Sequence, residues 1–111
     1  MYVQTVIFEL AGTSEGEYLD IANEVAPQYS GMPGLLAKLW LDKSDQGTYG
    51  AVYFWEDQES MERYCRSDLF EGSNPGFTNV VSNGAAVLEN LTRSTQPVLE
   101  VVQGRQHARQ G

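Results

Sequence analysis

The stretch LLAKLWLDKSDQGTYGAVYFWE, residues 35–56, contains two runs of strand-forming residues on either side of a polar turn. The first run ends at Asp42 and the second begins at Thr48, and the segment KSDQG between them ends in Gly47. Aliphatic and aromatic runs favour strands, and a short polar segment with glycine is typical of a reversal between two strands. We therefore predict a β-hairpin.

The hairpin register decides which side chains share a face. If Asp42 lies opposite Thr48, the next pairs on that face are Trp40 with Gly50, Lys38 with Val52, and Leu36 with Phe54. The other face then carries Ala37, Leu39, Ala51, Tyr53 and Trp55. Both faces are largely apolar. In this register Lys38 and Trp40 lie on the face opposite Tyr53, unless a bulge intervenes.

The segment before the hairpin reads as a strand followed by a helix. The run YVQTVIFELAG is rich in β-branched residues and ends at Gly12, which indicates a strand of about nine residues. Ser14 and Glu17 form a capping box, and apolar residues then recur at helical spacing. We predict a helix over about residues 15–29 that is kinked or ends early at Pro27, because proline lacks the backbone N–H.

The segment after the hairpin predicts a second helix and a fourth strand. Asp57 is a good N-cap, and the helix after it has one apolar stripe, formed by Met61, Tyr64, Cys65 and Leu69. The acidic residues near Asp57 favour a helix start and need no catalytic explanation. Residues 77–91 predict a strand with a bulge or bend near Gly84.

The predicted order is βαββαβ, which is typical of an α+β, ferredoxin-like fold with a four-stranded antiparallel sheet and two helices on one face. Helices on one face leave the other apolar face open, so we expect a homodimer in which two sheets meet face to face as a barrel. We assign residues 1–97 to this domain and residues 98–111 to a partly disordered tail. Residues 97–103 could form an edge strand or an arm that reaches the partner.

Composition excludes several classes of function. The chain has 15 acidic and 7 basic residues and a net charge of −8, which disfavours nucleic acid as a partner. No apolar run approaches the ~20 residues that span a bilayer, so we expect no membrane partner and a cytoplasmic location. The one histidine, His107, lies in a polar tail, and Cys65 is the one cysteine. We therefore expect no metal and no cofactor.

Three segments carry a resemblance to a known family: PGLLAKLW, YGAVYFWEDQESMERY and NVVSNGAAVLENLT. Over about residues 1–97 the chain resembles the YdhR-type monooxygenases, a branch of the dimeric α+β barrel proteins that includes the antibiotic-biosynthesis monooxygenases. The most specific matches are Pro33, Gly34, Lys38, Trp40, Gly50, Tyr53, Asp57 and Ser60. The chain departs from the family pattern at Ala37, where an aromatic residue is often expected.

The resemblance implies a cofactor-independent monooxygenase that acts on an aromatic or polyketide-like phenolic substrate, with dioxygen, in an enclosed pocket. Such chemistry needs an apolar site that favours the substrate anion and excludes water. The candidate catalytic residues are Lys38, as base or electrostatic partner, with Tyr53 and Trp40 as hydrogen-bond donors. The candidate substrate contacts are Tyr29, Tyr64, Asn79 and Asn83.

Each candidate also has a structural interpretation. Lys38 could extend its amine to water, Trp40 could belong to the core or to a dimer contact, and Tyr53 could bond a backbone carbonyl. Two other functions stay open. One is a polyketide cyclase or isomerase that uses Lys38 or Glu9 as base, and the other is a non-catalytic, small-molecule-binding stress protein.

Overall fold

The computed structural model describes residues 1–71 and 76–95. The strands are β1 (Tyr2–Leu10), β2 (Leu35–Leu41), β3 (Tyr49–Trp55) and β4 (Phe77–Ala86). The helices are α1 (Glu15–Val25), a 3-10 helix (Ala26–Tyr29), α2 (Gln58–Cys65), α3 (Asp68–Glu71) and α4 (Glu89–Thr95). The predicted tail and the segment 97–103 lie outside the described residues.

The four strands form one antiparallel sheet in the order β2-β3-β1-β4. Helices α1 and α2 lie on the same face, because Tyr18 of α1 and Tyr64 of α2 both pack against side chains of that face. The predicted α+β, ferredoxin-like fold is confirmed, with α3 and α4 as additions to it. None of the helices in the described ranges is long and apolar enough to cross a membrane.

Helix α1 begins as its sequence predicts. The Ser14 hydroxyl accepts a hydrogen bond from the Glu17 amide at 3.1 Å, and the Glu17 carboxylate accepts one from the Ser14 amide at 3.0 Å. The α-helix ends at Val25 and the chain continues as the 3-10 helix to Tyr29. Pro27 cannot supply the amide that an α-helix needs there, so the predicted early end is confirmed and the range 15–29 is too long for one α-helix.

The predicted register of the hairpin is wrong by one residue. Leu35 lies opposite Trp55, but the next pair is Ala37 with Phe54, so Leu36 is an extra residue in β2. An extra residue of this kind is a β-bulge, and it reverses the face on which all later side chains of the strand lie. As a result Lys38 lies opposite Tyr53, and both side chains are on the helix face.

The irregularity in β4 also lies elsewhere than predicted. The pairing with β1 shifts between Ile7 and Glu9, beside Asn79, whose φ is 51°. Gly84 instead continues a regular ladder, and its missing side chain makes room for the Tyr2 ring, which a Cβ would approach to 2.6 Å. The strand ends at Ala86, so residues 89–91 belong to α4 and not to the strand.

The core lies between the helix face of the sheet and the helices. Its buried members are Val6, Phe8, Tyr18, Tyr49, Ala51, Tyr53, Trp55 and Tyr64. The Gln4 amide is also fully buried, and it accepts a hydrogen bond from Trp55 Nε1 at 3.0 Å and donates one to Ser82 Oγ at 3.0 Å. A buried amide with partners on both sides is well tolerated and fixes the orientation of the Trp55 ring.

Helices α1 and α2 do not cover the opposite face of the sheet, which we call the open face. Rows of paired residues across it include Leu41, Gly50, Ile7 and Val81, and next to them Leu39, Val52, Thr5 and Asn83. Leu39 and Val81 are each 52% exposed. This face therefore leaves a contiguous apolar surface in contact with solvent in a single chain.

Candidate functional site

Five of the seven candidate residues meet on the helix face of the sheet. Lys38 and Trp40 project from β2, Tyr53 from β3, Tyr64 from α2 and Tyr29 from the end of the 3-10 helix. The bulge in β2 brings Lys38 and Trp40 to this face. The 3-10 helix after α1 places the Tyr29 ring against the Trp40 ring of β2. The cluster thus depends on two interruptions of regular secondary structure.

The three tyrosines are joined through their hydroxyl groups. The Tyr64 hydroxyl lies 2.8 Å from that of Tyr29 and 2.9 Å from that of Tyr53. Three hydroxyl groups carry three protons, and two hydrogen bonds use two of them. We call this arrangement the tyrosine chain. The third proton is shared between the direct interaction of the Tyr29 and Tyr53 hydroxyl groups and any oxygen atom of a bound molecule.

The tyrosine chain consists of proton donors at neutral pH. Burial raises the pKa of Tyr53 and of Tyr64 well above the ordinary value, and it also raises the pKa of Tyr29. Desolvation disfavours the phenolate form of a buried tyrosine, so these groups stay protonated. A base in this cluster must therefore be another residue.

The cluster contains one amine, that of Lys38. Its Nζ lies 3.5 Å from the ring centroid of Tyr29, 3.5 Å from that of Trp40 and 4.8 Å from that of Tyr53. No salt bridge or hydrogen bond joins it to any part of the chain that the structure describes. Burial lowers the pKa of Lys38 to about 7, while the ring faces favour the ammonium form and oppose part of that effect.

Lys38 and the tyrosine chain line a small cavity between the sheet and α1. The cavity has a volume of about 70 Å³. That is room for a few water molecules, and small-molecule sites usually offer a few hundred Å³. An open groove of about 510 Å³ adjoins it and shares Tyr18, Ala22 and Trp40 with the cavity wall. Trp40, which is 41% exposed, lies between the two spaces.

The two asparagines predicted as substrate contacts lie outside the cluster. The Asn79 amide donates a hydrogen bond to the Glu9 carboxylate on the exposed edge of the sheet. Asn83 lies opposite Thr5 and is exposed on the open face. The structure therefore brings together Lys38, Trp40, Tyr53, Tyr29 and Tyr64, and leaves Asn79 and Asn83 apart from them.

Sequence reasoning missed Gln4 and Phe70 as neighbours of the cluster. Gln4 lies between Tyr53 and Gly84 in the sheet, and the Phe70 ring is edge-on to the Tyr64 ring at 5.2 Å. Gln4 lies in phase with Val6 and Phe8 along β1, and this alternation was a usable signal. Phe70 follows a break between α2 and α3 that has no comparable pattern.

Neither thiol nor metal chemistry gains support from the described residues. Burial raises the pKa of the Cys65 thiol, so its thiolate form is disfavoured. Residues 1–71 and 76–95 contain no group of three or more His, Cys, Asp or Glu side chains placed to hold a metal ion.

Solved structures identify the class of fold. The heme-degrader MhuD from Mycobacterium tuberculosis, with two hemes in its active site, superposes with a TM-score of 0.65 at 18% identity, covering 79% of this chain and 96% of that chain. SnoaB, a cofactor-independent oxygenase from Streptomyces nogalater, gives 0.60 at 14% identity, covering 78% and 92%. An antibiotic biosynthesis monooxygenase gives 0.64 at 15% identity, covering 79% and 99%. The chain has the fold of these proteins.

The family follows from the sequence. The family described as "Putative mono-oxygenase ydhR" matches residues 3–97, and the chain belongs to it. This membership confirms the predicted resemblance and supports a monooxygenase function in general terms. A comparison with curated proteins gave no match.

Proposed function

We propose that the protein is a cofactor-independent monooxygenase that oxidises a flat aromatic molecule with a phenolic or enolic hydroxyl group. One observation carries the proposal: an amine with a lowered pKa, Lys38, and the tyrosine chain line the same apolar cavity. A cavity of this kind supplies a base, hydrogen-bond donors and a dry environment, which are the requirements for holding an electron-rich anion.

In the proposed reaction Lys38 first takes the proton of the substrate hydroxyl group. A neutral amine with a pKa of about 7 can accept a proton from a phenol, and the ammonium ion then pairs with the phenolate oxygen. The third proton of the tyrosine chain forms a second hydrogen bond to that oxygen. The three ring faces around Nζ stabilise the ammonium ion in the same step.

The bound anion then reacts directly with dioxygen. It transfers one electron to dioxygen, and the resulting radical pair combines at the ring carbon conjugated with the anionic oxygen, which is CH in the enol form and CH₂ in the keto form. The ammonium group of Lys38 then returns its proton to the peroxide oxygen, which gives a keto hydroperoxide of the substrate. Loss of water converts this carbon to a carbonyl group. In total, substrate CH₂ and O₂ give substrate C=O and H₂O, so the substrate supplies all four electrons and no external reductant is needed.

The size of the cavity restricts how such a substrate binds. A molecule with two or three rings does not fit in about 70 Å³, so we propose that its reacting ring end lies beside Lys38 and the remainder extends past Trp40 into the groove. This pose requires the Trp40 side chain to move. Its 41% exposure leaves it free to do so without opening the core.

A porphyrin does not fit this site as its residues stand. The cavity is far smaller than a heme, and the polar side chains that it offers are Lys38 and three hydrogen-bonded tyrosines. Because burial raises the pKa of those tyrosines, the phenolate that would bind iron is disfavoured. Heme therefore has no part in the proposed reaction.

Oxygen uptake by purified protein tests the proposal. Metal-free protein, treated with a chelator, should accelerate oxygen uptake with an anthrone-type phenol, and the substitution Lys38→Met should remove most of the acceleration. Lys43→Met is the matched control, because Lys43 lies exposed in the hairpin turn. Oxygen uptake equal to the uncatalysed rate would contradict the proposal. Product formation under argon would instead indicate a cyclase or isomerase.

The second candidate function is non-catalytic binding of a small molecule, and the small volume of the cavity favours it. Under this alternative the rings form a rigid core that accepts a ligand in the groove alone. Binding of a naphthol would then quench the fluorescence of Trp40 without any oxygen uptake, and Lys38→Met would leave its affinity unchanged.

The open face supports a homodimer as part of the proposal. Ile7, Leu39, Leu41 and Val81 are all between 38% and 52% exposed there, and their rows are contiguous. A second copy of the chain can cover this face with the same residues and form a closed, two-fold assembly.

A further inference from the structure

The surroundings of Lys38 are unusual for a lysine, independently of any reaction with dioxygen. Its Nζ lies over two ring faces at 3.5 Å and near a third at 4.8 Å, and it pairs with none of the carboxylates in the described ranges. Every fully buried side-chain nitrogen or oxygen in those ranges has a hydrogen-bond partner. Since Nζ has none, it is not fully enclosed and remains open to the cavity that Lys38 lines.

An amine in such a place has an available lone pair. Desolvation favours the neutral form of a lysine, and it lowers the pKa of Lys38 to about 7. Neutral lysines in apolar pockets are the ones that attack carbonyl carbons and form imines. A carboxylate beside Nζ would hold the amine in its charged form, and the described residues place none there.

We propose that Lys38 forms an imine with small aldehydes that enter the ring-lined cavity. The Nζ lone pair attacks the carbonyl carbon, and one N–H proton is transferred to the oxygen to give a carbinolamine. Loss of water then gives the C=N bond. The net change, amine and aldehyde to imine and water, involves no oxidation and needs no further reactant. The inference goes beyond the proposed function, because it is covalent and requires no dioxygen.

The cavity also indicates which aldehydes fit. A volume of about 70 Å³ admits an unbranched aldehyde of a few heavy atoms while Trp40 keeps its position. The lining is mostly apolar, and the net charge of the chain is −8, so a neutral aldehyde is favoured over an anionic one.

Reductive labelling of the full chain tests the proposal, because the sequence contains two lysines, Lys38 and Lys43. The folded protein is incubated near neutral pH with a limiting amount of propanal and cyanoborohydride, which reduces an imine to a stable secondary amine. Peptide mass mapping then measures the label at each lysine, and the amine of Met1 is read from a separate peptide.

We expect Lys38 to be labelled at least about tenfold faster than the exposed Lys43, because only a neutral amine reacts. In urea the ratio should fall to about one, since both lysines then lie in water. Equal labelling in the folded protein, or faster labelling of Lys43, would overturn the proposal. Oxygen uptake is measured without aldehyde, so failure of the proposed oxygenase and failure of imine formation give separate results.

Discussion

Lys38 lies directly opposite Tyr53 across the β2–β3 ladder, and both side chains lie under the helices. The pair exists because β2 holds one extra residue, Leu36, between the pairs Leu35–Trp55 and Ala37–Phe54. In a regular ladder continued from the Leu35–Trp55 pair, Lys38 would lie opposite Val52 and its side chain would be on the open face. The bulge therefore moves a cation from solvent into a ring-lined cavity, at a cost in stability that should depend on pH.

The first prediction concerns this cost. In the unfolded chain the amine of Lys38 has an ordinary pKa of 10.5, and in the fold burial lowers the pKa to about 7. Between these values the unfolded chain binds more protons, so the free energy of unfolding rises as pH increases from about 7 toward 10 and is lowest below pH 7. The free energy of unfolding of the wild-type protein, relative to that of Lys38→Met, should therefore increase with rising pH.

The shift should amount to roughly 1–3 kcal/mol over this range, at most about 1.4 kcal/mol per pH unit, because the ring faces oppose part of the lowered pKa. Urea unfolding of both proteins at several pH values measures it. Lys43→Met, in the exposed turn, should follow wild type in parallel. A pH-independent difference between wild type and Lys38→Met would mean that the buried amine keeps its proton.

The second prediction concerns the tyrosine chain. Tyr64→Phe removes the central hydroxyl group and with it both hydrogen bonds, to Tyr29 and to Tyr53. The hydroxyl groups of the half-buried Tyr29 and the buried Tyr53 each lose one hydrogen bond, so we expect a loss of about 1–3 kcal/mol in the free energy of unfolding. Any oxygenase activity should fall as well, because the chain loses a donor.

Tyr18→Phe is the matched control for Tyr64→Phe. Tyr18 is equally buried, at 7% exposure against 5%, but its contacts in the described ranges are ring contacts. We expect a change of less than about 1 kcal/mol for this variant, which thermal unfolding can resolve. Equal losses in the two variants would show that ring packing, and not the hydroxyl chain, holds the cluster together.

The sequence predicts much of this fold because its signals are local. The capping box at Ser14 and Glu17, the N-cap at Asp57 and the strand-forming runs all act within a few residues. The bulge at Leu36 is different, because nothing in LLAKLWL distinguishes an extra residue from a regular one. A single undetected shift was enough to place Lys38 and Trp40 on the wrong side of Tyr53.

The candidate site shows the same limit. Residue type alone predicts the candidates, and five of them meet because the bulge and the 3-10 helix bring them together. Residue type predicts Asn79 and Asn83 as well, but Asn79 lies at the bulge in β4 and Asn83 faces the open side of the sheet, so both lie elsewhere. Residue type predicts the chemistry available in the chain, whereas the register decides which groups meet.

The third prediction tests the proposed dimer. Leu39→Asp places a carboxylate on the open face, in the edge strand β2, where a partner sheet would have to bury it without a counter-charge. We expect the mass in solution, measured by light scattering, to fall from two chains to one. Leu19→Asp is the control, because Leu19 is 49% exposed on α1 and Leu39 is 52% exposed. A wild-type protein with the mass of one chain would contradict the proposed dimer.

The fourth prediction concerns the entry to β2, where Gly34 has a φ of 81° and its carbonyl accepts a hydrogen bond from the Glu56 amide at 2.8 Å. A Cβ at Gly34 would overlap Cβ and Oγ of Ser60. Ser60 lies in the first turn of α2, and its amide donates a hydrogen bond to the side chain of the N-cap residue Asp57. Gly34→Ala should therefore cost about 3 kcal/mol or more, from backbone strain and overpacking together.

Gly31→Ala separates these two causes, because Gly31 has a nearly equal φ of 78° and nothing within 4 Å of its Cβ position. It should cost only about 1–2 kcal/mol, the strain of a left-handed backbone alone. The double variant Gly34→Ala with Ser60→Gly removes the overlapping side chain. It should recover the part of the stability loss of Gly34→Ala that exceeds the loss of Gly31→Ala. Chemical unfolding of the three variants measures these differences, and equal losses in Gly34→Ala and Gly31→Ala would show that α2 yields to the added methyl group.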